Sequence, residues 1–110
     1  MAAAPQTQIN FTTPTQFNDG SSMVAGSVSG YIAQINGSTY NFVAPATWAP
    51  GSVQDIPFAS LTPSFAPVGG TAYIADLEAV SAGQDSVPSA SVSWTQNAKS
   101  PLPPTALSVS

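Results

Sequence analysis

The stretch YIAQINGSTYNF, residues 31 to 42, limits the possible folds more than any other part of this chain. Asn36-Gly37 suits a type I′ turn, which needs positive φ at both central residues. A two-residue loop also sets the register. Ile35 then faces Ser38, Ala33 faces Tyr40 and Tyr31 faces Phe42, all on one side of the ribbon. Ile32, Gln34, Thr39 and Asn41 take the other side. One face is aromatic and apolar and the other mostly polar, so the hairpin belongs to a sheet with a core on one side.

Other segments alternate with the same period. TQINFT places Ile9 and Phe11 on one face. SMVAGSV, residues 22 to 28, is a weaker strand candidate, with Gly26 marking a bulge. VQDIPFASL offers Ile56 and Phe58, with Leu61 following; Pro57 lacks a backbone donor and points to an edge or an irregular strand. TAYIADLEAV aligns Tyr73, Ala75, Leu77 and Ala79 against Ile74, Asp76, Glu78 and Val80. SASVSWTQ aligns Ala90, Val92 and Trp94. No amphipathic helical stretch carries a cap. Six or seven short strands among Gly, Pro, Asn and Ser clusters predict an all-β fold, a single antiparallel β-sandwich. The expected division is an N-terminal arm over 1–6, the sandwich over 7–98 and an extended Pro-rich tail over 99–110.

Charge is nearly absent. Of 110 residues, 5% are charged, against about 25% in an ordinary soluble domain. The list is Asp19, Asp55, Asp76, Glu78, Asp85 and Lys99, with no His and no Cys. With 43% apolar residues and a net charge of only -4, the chain does not have the composition of a disordered one. One Lys cannot displace counterions from a phosphate backbone or hold an anionic bilayer, so nucleic acid and membrane are not expected partners. No apolar run approaches the roughly 20 residues of a spanning helix. MAAAPQTQ lacks the basic and apolar regions of a secretory signal, which leaves either a signal already removed or, as we expect, synthesis without export.

The second half resembles fibronectin type III domains. In that family a Leu-x-Pro element leads into a strand of the form Tyr-x-apolar-x-apolar-x-Ala, then a Gly-containing loop, a Pro-Ser dipeptide and the last strand. LTP at Leu61 to Pro63 and YIADLEAVSAGQDSVPSASVSWT at Tyr73 to Thr95 follow that order. The resemblance implies a fibronectin III-like or immunoglobulin-like sandwich, with Tyr73 as a corner tyrosine whose hydroxyl returns to upstream backbone. The hairpin would be the third strand and the one after it. Two features depart from the pattern: residues 20 to 28 hold no core Trp, whose volume Trp48 or Trp94 would fill, and SFAPVGG lengthens the corner before Tyr73. The resemblance brings no catalytic residue, and such domains serve as spacers, adhesion modules and surface decorations.

The usual reactive groups are missing. Ser-His-Asp and Cys-His arrangements cannot be built. Asp76 and Glu78 form the one close carboxylate pair, but they sit on one strand rather than across a sugar-binding cleft. Asp55 could join them around calcium only if the fold brought the strands together. Catalytic residues, metals and cofactors are therefore not expected. The candidate interface residues are Trp48 in PATWAPG, Phe65 in PSFAPVGG, and Pro101, Leu102, Pro103, Pro104, Leu107 and Val109 in the tail. Trp48 and Phe65 could anchor an interface or fold over the ends of the sandwich. The tail could be a strand-adding arm, the start of a further domain or a disordered end.

The expectation is a non-enzymatic structural protein of a virion. It would be a bacteriophage capsid decoration or cement protein, or a tail accessory protein, made in the host cytoplasm. It would form homo-oligomers and bind the major capsid or tail protein. The alternative is a carbohydrate-binding or adhesion module of a larger secreted or phage-tail protein, with a glycan held by Trp48.

Overall fold

A computed structural model describes residues 3–81, 84–86, 89–102, 104–106 and 108–109. Among them are seven strands, β1 (Gln8–Thr12), β2 (Gly30–Ile35), β3 (Ser38–Val43), β4 (Val53–Pro57), β5 (Ala72–Ser81), β6 (Gln84–Asp85) and β7 (Val92–Thr95). A single turn of 3-10 helix at Phe58–Ser60 follows β4. All pairing is antiparallel, in two sheets. One is β1-β4; the other is β3-β2-β5, with β6 and β7 sharing the far edge of β5. The fold is an all-β sandwich that is not closed.

The hairpin forms as its pattern predicts. Ile35 pairs with Ser38, Ala33 with Tyr40 and Tyr31 with Phe42. Asn36 and Gly37 take φ of 49° and 83°, the positive pair that the turn requires. Asn36 has a second role. Its side-chain amide donates to Ala72 C=O (3.1 Å) and its Oδ1 accepts from Ile74 N–H (2.8 Å), so the turn is tied to β5 as well.

Tyr31, Ile35, Phe42, Ile56, Phe58, Leu61, Phe65 and Ala75 form the buried core, with Ile9, Phe11, Tyr73, Leu77, Ala79 and Trp94 packed against it. The strand members are the inward residues of the period-two pattern on both sheets, while Phe58, Leu61 and Phe65 come from the 3-10 turn and the loop that follows it. Among the described residues β4 pairs on one side only, and it ends at Pro57, where the missing donor does no harm.

Residues 22 to 28 are not a strand. Ser22 makes one isolated bridge to Gln16. Ser27 N–H then donates to Val24 C=O (3.0 Å) while the Ser27 hydroxyl accepts from Val24 N–H (2.9 Å). Gly26, at φ 86°, supplies the left-handed residue of that turn rather than a bulge.

The far edge of β5 is finished by serines. Ser86 N–H donates to Ala79 C=O (2.8 Å) and Ser89 N–H to Leu77 C=O (2.9 Å). In return their hydroxyls accept from Ala79 N–H (2.9 Å) and Leu77 N–H (3.0 Å). Two side chains thus stand in for the carbonyls of a continuous strand, where the chain departs from the ladder between β6 and β7.

Candidate functional site

The carboxylates are spread by the sandwich. Ile56 faces the core from β4, so its neighbour Asp55 is exposed on the outer face of the smaller sheet. Ala75 and Leu77 face the core from β5, so Asp76 and Glu78 lie on the outer face of the larger sheet, opposite Gln34 and Ile32. The two sheets thus turn Asp55 and the Asp76–Glu78 pair away from each other. Among the described residues no three metal-ligating side chains gather, so the calcium arrangement does not form. Asp76 and Glu78 are both half-buried on one strand; Asp76 borders a groove and its Oδ1 is buried with no hydrogen-bond partner among the described residues, but the two carboxylates do not face each other across it.

Trp48 and Phe65 are both drawn into the body. Trp48 is half-buried, its ring 6.1 Å from Phe11 and 6.3 Å from Tyr31. It closes one end of the sandwich and keeps an exposed margin. Phe65 is only 8% exposed. It packs edge-on against Phe58 (5.0 Å), Tyr73 (5.2 Å) and Tyr40 (5.3 Å). Phe65 is therefore a core residue and offers no ring to a partner. Trp94, stacked on Tyr73 at 5.3 Å, fills the same end. Tyr73 is fixed in turn by its hydroxyl, which accepts from Val68 N–H at 2.9 Å, five residues upstream.

The tail residues lie apart from the rest. Pro101, Leu102, Pro104 and Val109 are exposed, Leu102 at 82% and Val109 at 98%. Pro103 and Leu107 lie outside the described residues. The chain is last held at 96–98. Gln96 is buried; its amide donates to Gln6 C=O (2.9 Å) and its Oε1 accepts from Trp94 Nε1 (3.1 Å). Asn97 N–H donates to Gln6 Oε1 (2.9 Å). Ala98 sits against Gly69, where a Cβ would come within 2.7 Å of the Ala98 Cα. Only glycine permits that approach.

A groove of about 1040 Å³ lies between β1 and the β5–β7 side of the larger sheet. Its apolar lining includes Ile9, Phe11, Tyr31, Leu77, Ala79 and Val92. The sequence pattern placed these residues on inward faces but not at an opening, because alternation shows which face is apolar and not whether another layer covers it. Burial holds the Tyr31 hydroxyl above the ordinary tyrosine pKa. That hydroxyl has no hydrogen-bond partner among the described residues. The described surface thus offers apolar side chains, hydroxyls and backbone groups, a chemistry suited to contact with protein.

Comparison of the chain with family models, with curated proteins and with solved structures returns no match.

Proposed function

We propose that this chain is a non-enzymatic structural protein of a virion, a bacteriophage capsid decoration or cement protein or a tail accessory protein. It works through protein–protein contacts with the major capsid or tail protein and with copies of itself. The observation that carries the reading is the exposed tail: Leu102 and Val109 hold apolar side chains in solvent, in a chain with one cation. Val24, Val43, Val53, Val68 and Val92 add exposed apolar surface on the body. Isolated exposed apolar residues are ordinary, but here hardly any charge lies between them to oppose association.

The resemblance to fibronectin III-like and immunoglobulin-like domains gains support from topology. The order β3-β2-β5-β7 is that of strands C′, C, F and G in such a sandwich, with β1 and β4 as B and E. The Tyr73 hydroxyl bond has the form of the corner tyrosine. Decoration and adhesion are both tasks of such bodies, and neither needs a reactive centre.

Salt provides the test. Raising sodium chloride from about 0.1 to about 1 M shortens the screening length from about 10 to 3 Å. Contacts that use almost no charge should keep their affinity for the particle and for one another within about twofold. A steep loss over that range would count against the proposal. Trp48, with its exposed margin, is where the carbohydrate reading would act. Saturable binding on a glycan array, lost in Trp48→Ala, would favour that module instead.

A further inference from the structure

Among the described residues β1 is paired on one side only. Phe58 N–H donates to Thr7 C=O and Thr13 N–H donates to Ser52 C=O, both at 2.9 Å, which fixes the phase of its ladder. With Gln8 opposite Pro57 and Thr12 opposite Val53, the odd-numbered residues turn their backbone groups toward β4. Gln8, Asn10 and Thr12 turn theirs away, and no hydrogen bond reaches those groups among the described residues. Exposed edges are normally blunted by charge, proline or a covering segment. QINFT has neither charge nor proline, and beside it lies the apolar groove. An unpaired backbone edge beside an uncovered apolar floor is what an added strand needs.

The tail has the matching character. TALSV, residues 105 to 109, is uncharged and places Leu107 and Val109 on one side at period two. No hydrogen bond joins the described residues beyond Asn97 to the body. The longest dimension of the molecule is 72 Å, against 27 and 21 Å for the others. Its radius of gyration is 18.1 Å, where a compact domain of this length has about 13 Å. The proline-rich composition of the tail favours an extended, semi-rigid segment. From Ala98 to Leu107 such a segment reaches about 28 Å, as far as the body is broad. Ala106 sits at φ 57°, a left-handed conformation that alanine resists and that an extended strand would relieve.

We propose that the free edge of β1 and the groove beside it accept residues 105–109 of a second copy of this chain as an added strand. Copies then join by exchanging C-terminal arms. The inference deepens the self-association part of the reading above and is independent of any particle.

The test uses two variants of the full chain. Asn10→Pro removes a backbone donor that points out of the β1–β4 ladder, so it blocks the acceptor edge and leaves the tail intact. The double variant Leu107→Asp/Val109→Asp spoils the tail and leaves the groove intact; the exposed position of Val109 keeps it from disturbing the fold. Light scattering should give the unaltered chain a mass of at least twice 11.1 kDa and each variant the monomer mass. Mixing the variants should restore a species containing one of each, because each supplies what the other lacks. An oligomer whose mass neither variant changes, or two monomeric variants that do not combine, would overturn the exchange while leaving self-association standing. An unaltered chain that stays monomeric at all concentrations would overturn both.

Discussion

Tyr31 carries the least satisfied group in the core. The residue is 3% exposed and its ring stacks on Phe42 at 5.2 Å, but its hydroxyl is buried without a partner among the described residues. A buried polar atom in that state costs about 1–3 kcal/mol. Tyr31→Phe keeps the ring and removes the cost, so it should raise stability by roughly 1 kcal/mol in urea unfolding. The pH dependence gives an independent check. Burial raises the folded pKa, so folding favours the neutral phenol. That contribution is complete below the unfolded value near 10 and is lost as pH rises through the higher folded value. Stability should therefore fall above about pH 10 in the unaltered chain and fall less in Tyr31→Phe. Asn36 is the opposite case, because its side-chain donor and acceptor are both used. Asn36→Gly would preserve the positive φ of the turn while deleting both side-chain bonds to β5. A loss of about 1–2 kcal/mol is expected, although glycine is the residue that such a turn tolerates best. Unchanged stability would mean that the bonds to Ala72 and Ile74 contribute nothing.

At the scale of elements, strands were legible where two signals agreed. The hairpin joins a turn dipeptide to clean alternation on both arms, and its register follows residue by residue. β5 is long enough, at ten residues, for alternation alone to assign Ala75 and Leu77 to the core side. Residues 22 to 28 misled because a serine and glycine context around Met23 and Val24 can fold as a local turn through side-chain bonds. The β5 edge was unreadable for a related reason. In SVPS the serine hydroxyls do what strand carbonyls do elsewhere, and composition does not distinguish such serines from solvated ones. Gln96 was hidden likewise: nothing in TQNA marks the one glutamine that holds the N-terminal arm and Trp94 together. As for the site, the tail and the loop tryptophan were visible in the sequence. The groove was not, because it is made by a missing neighbour to β1 rather than by any residue. The serine edge has its own prediction. Ser89→Ala leaves Leu77 N–H without its acceptor. The change should cost about 1 kcal/mol and speed amide hydrogen exchange at Leu77, while amides of the β2–β3 hairpin keep their protection relative to global unfolding. Equal protection at Leu77 in both proteins would show that the hydroxyl is not the acceptor in solution.

For the whole molecule, the question is whether an unclosed sandwich still behaves as one cooperative body. Its rings fall into two groups. Phe11, Tyr31, Phe42 and Trp48 meet at one end, with centroids 4.8 to 6.3 Å apart. Tyr40, Phe58, Phe65, Tyr73 and Trp94 meet at the other, 5.0 to 6.5 Å apart. Each group takes rings from both sides of the sandwich: Phe11 from β1 with Tyr31 and Phe42 from the larger sheet, and Phe58 after β4 with Tyr73 and Trp94. Such pairs are worth about 0.5–1.5 kcal/mol each beyond their buried area, so neither sheet can leave without giving up several at once. The groups are also joined. Tyr40 and Phe42 share β3, and Ile35, Ile56, Leu61 and Ala75 belong to the same continuous cluster. The groove removes a covering layer beside β1 but does not separate the two ends. One transition is therefore expected, and the chain carries one tryptophan in each group to report it. In Trp48→Phe, fluorescence follows Trp94; in Trp94→Phe, it follows Trp48. Within each variant the fluorescence and far-ultraviolet circular dichroism transitions in urea should coincide, with an m-value of about 1–3 kcal/mol/M. If the Trp48 signal were lost well before the backbone signal, the end bearing β1 would be opening by itself, and the two ring groups would have to be treated as separate units.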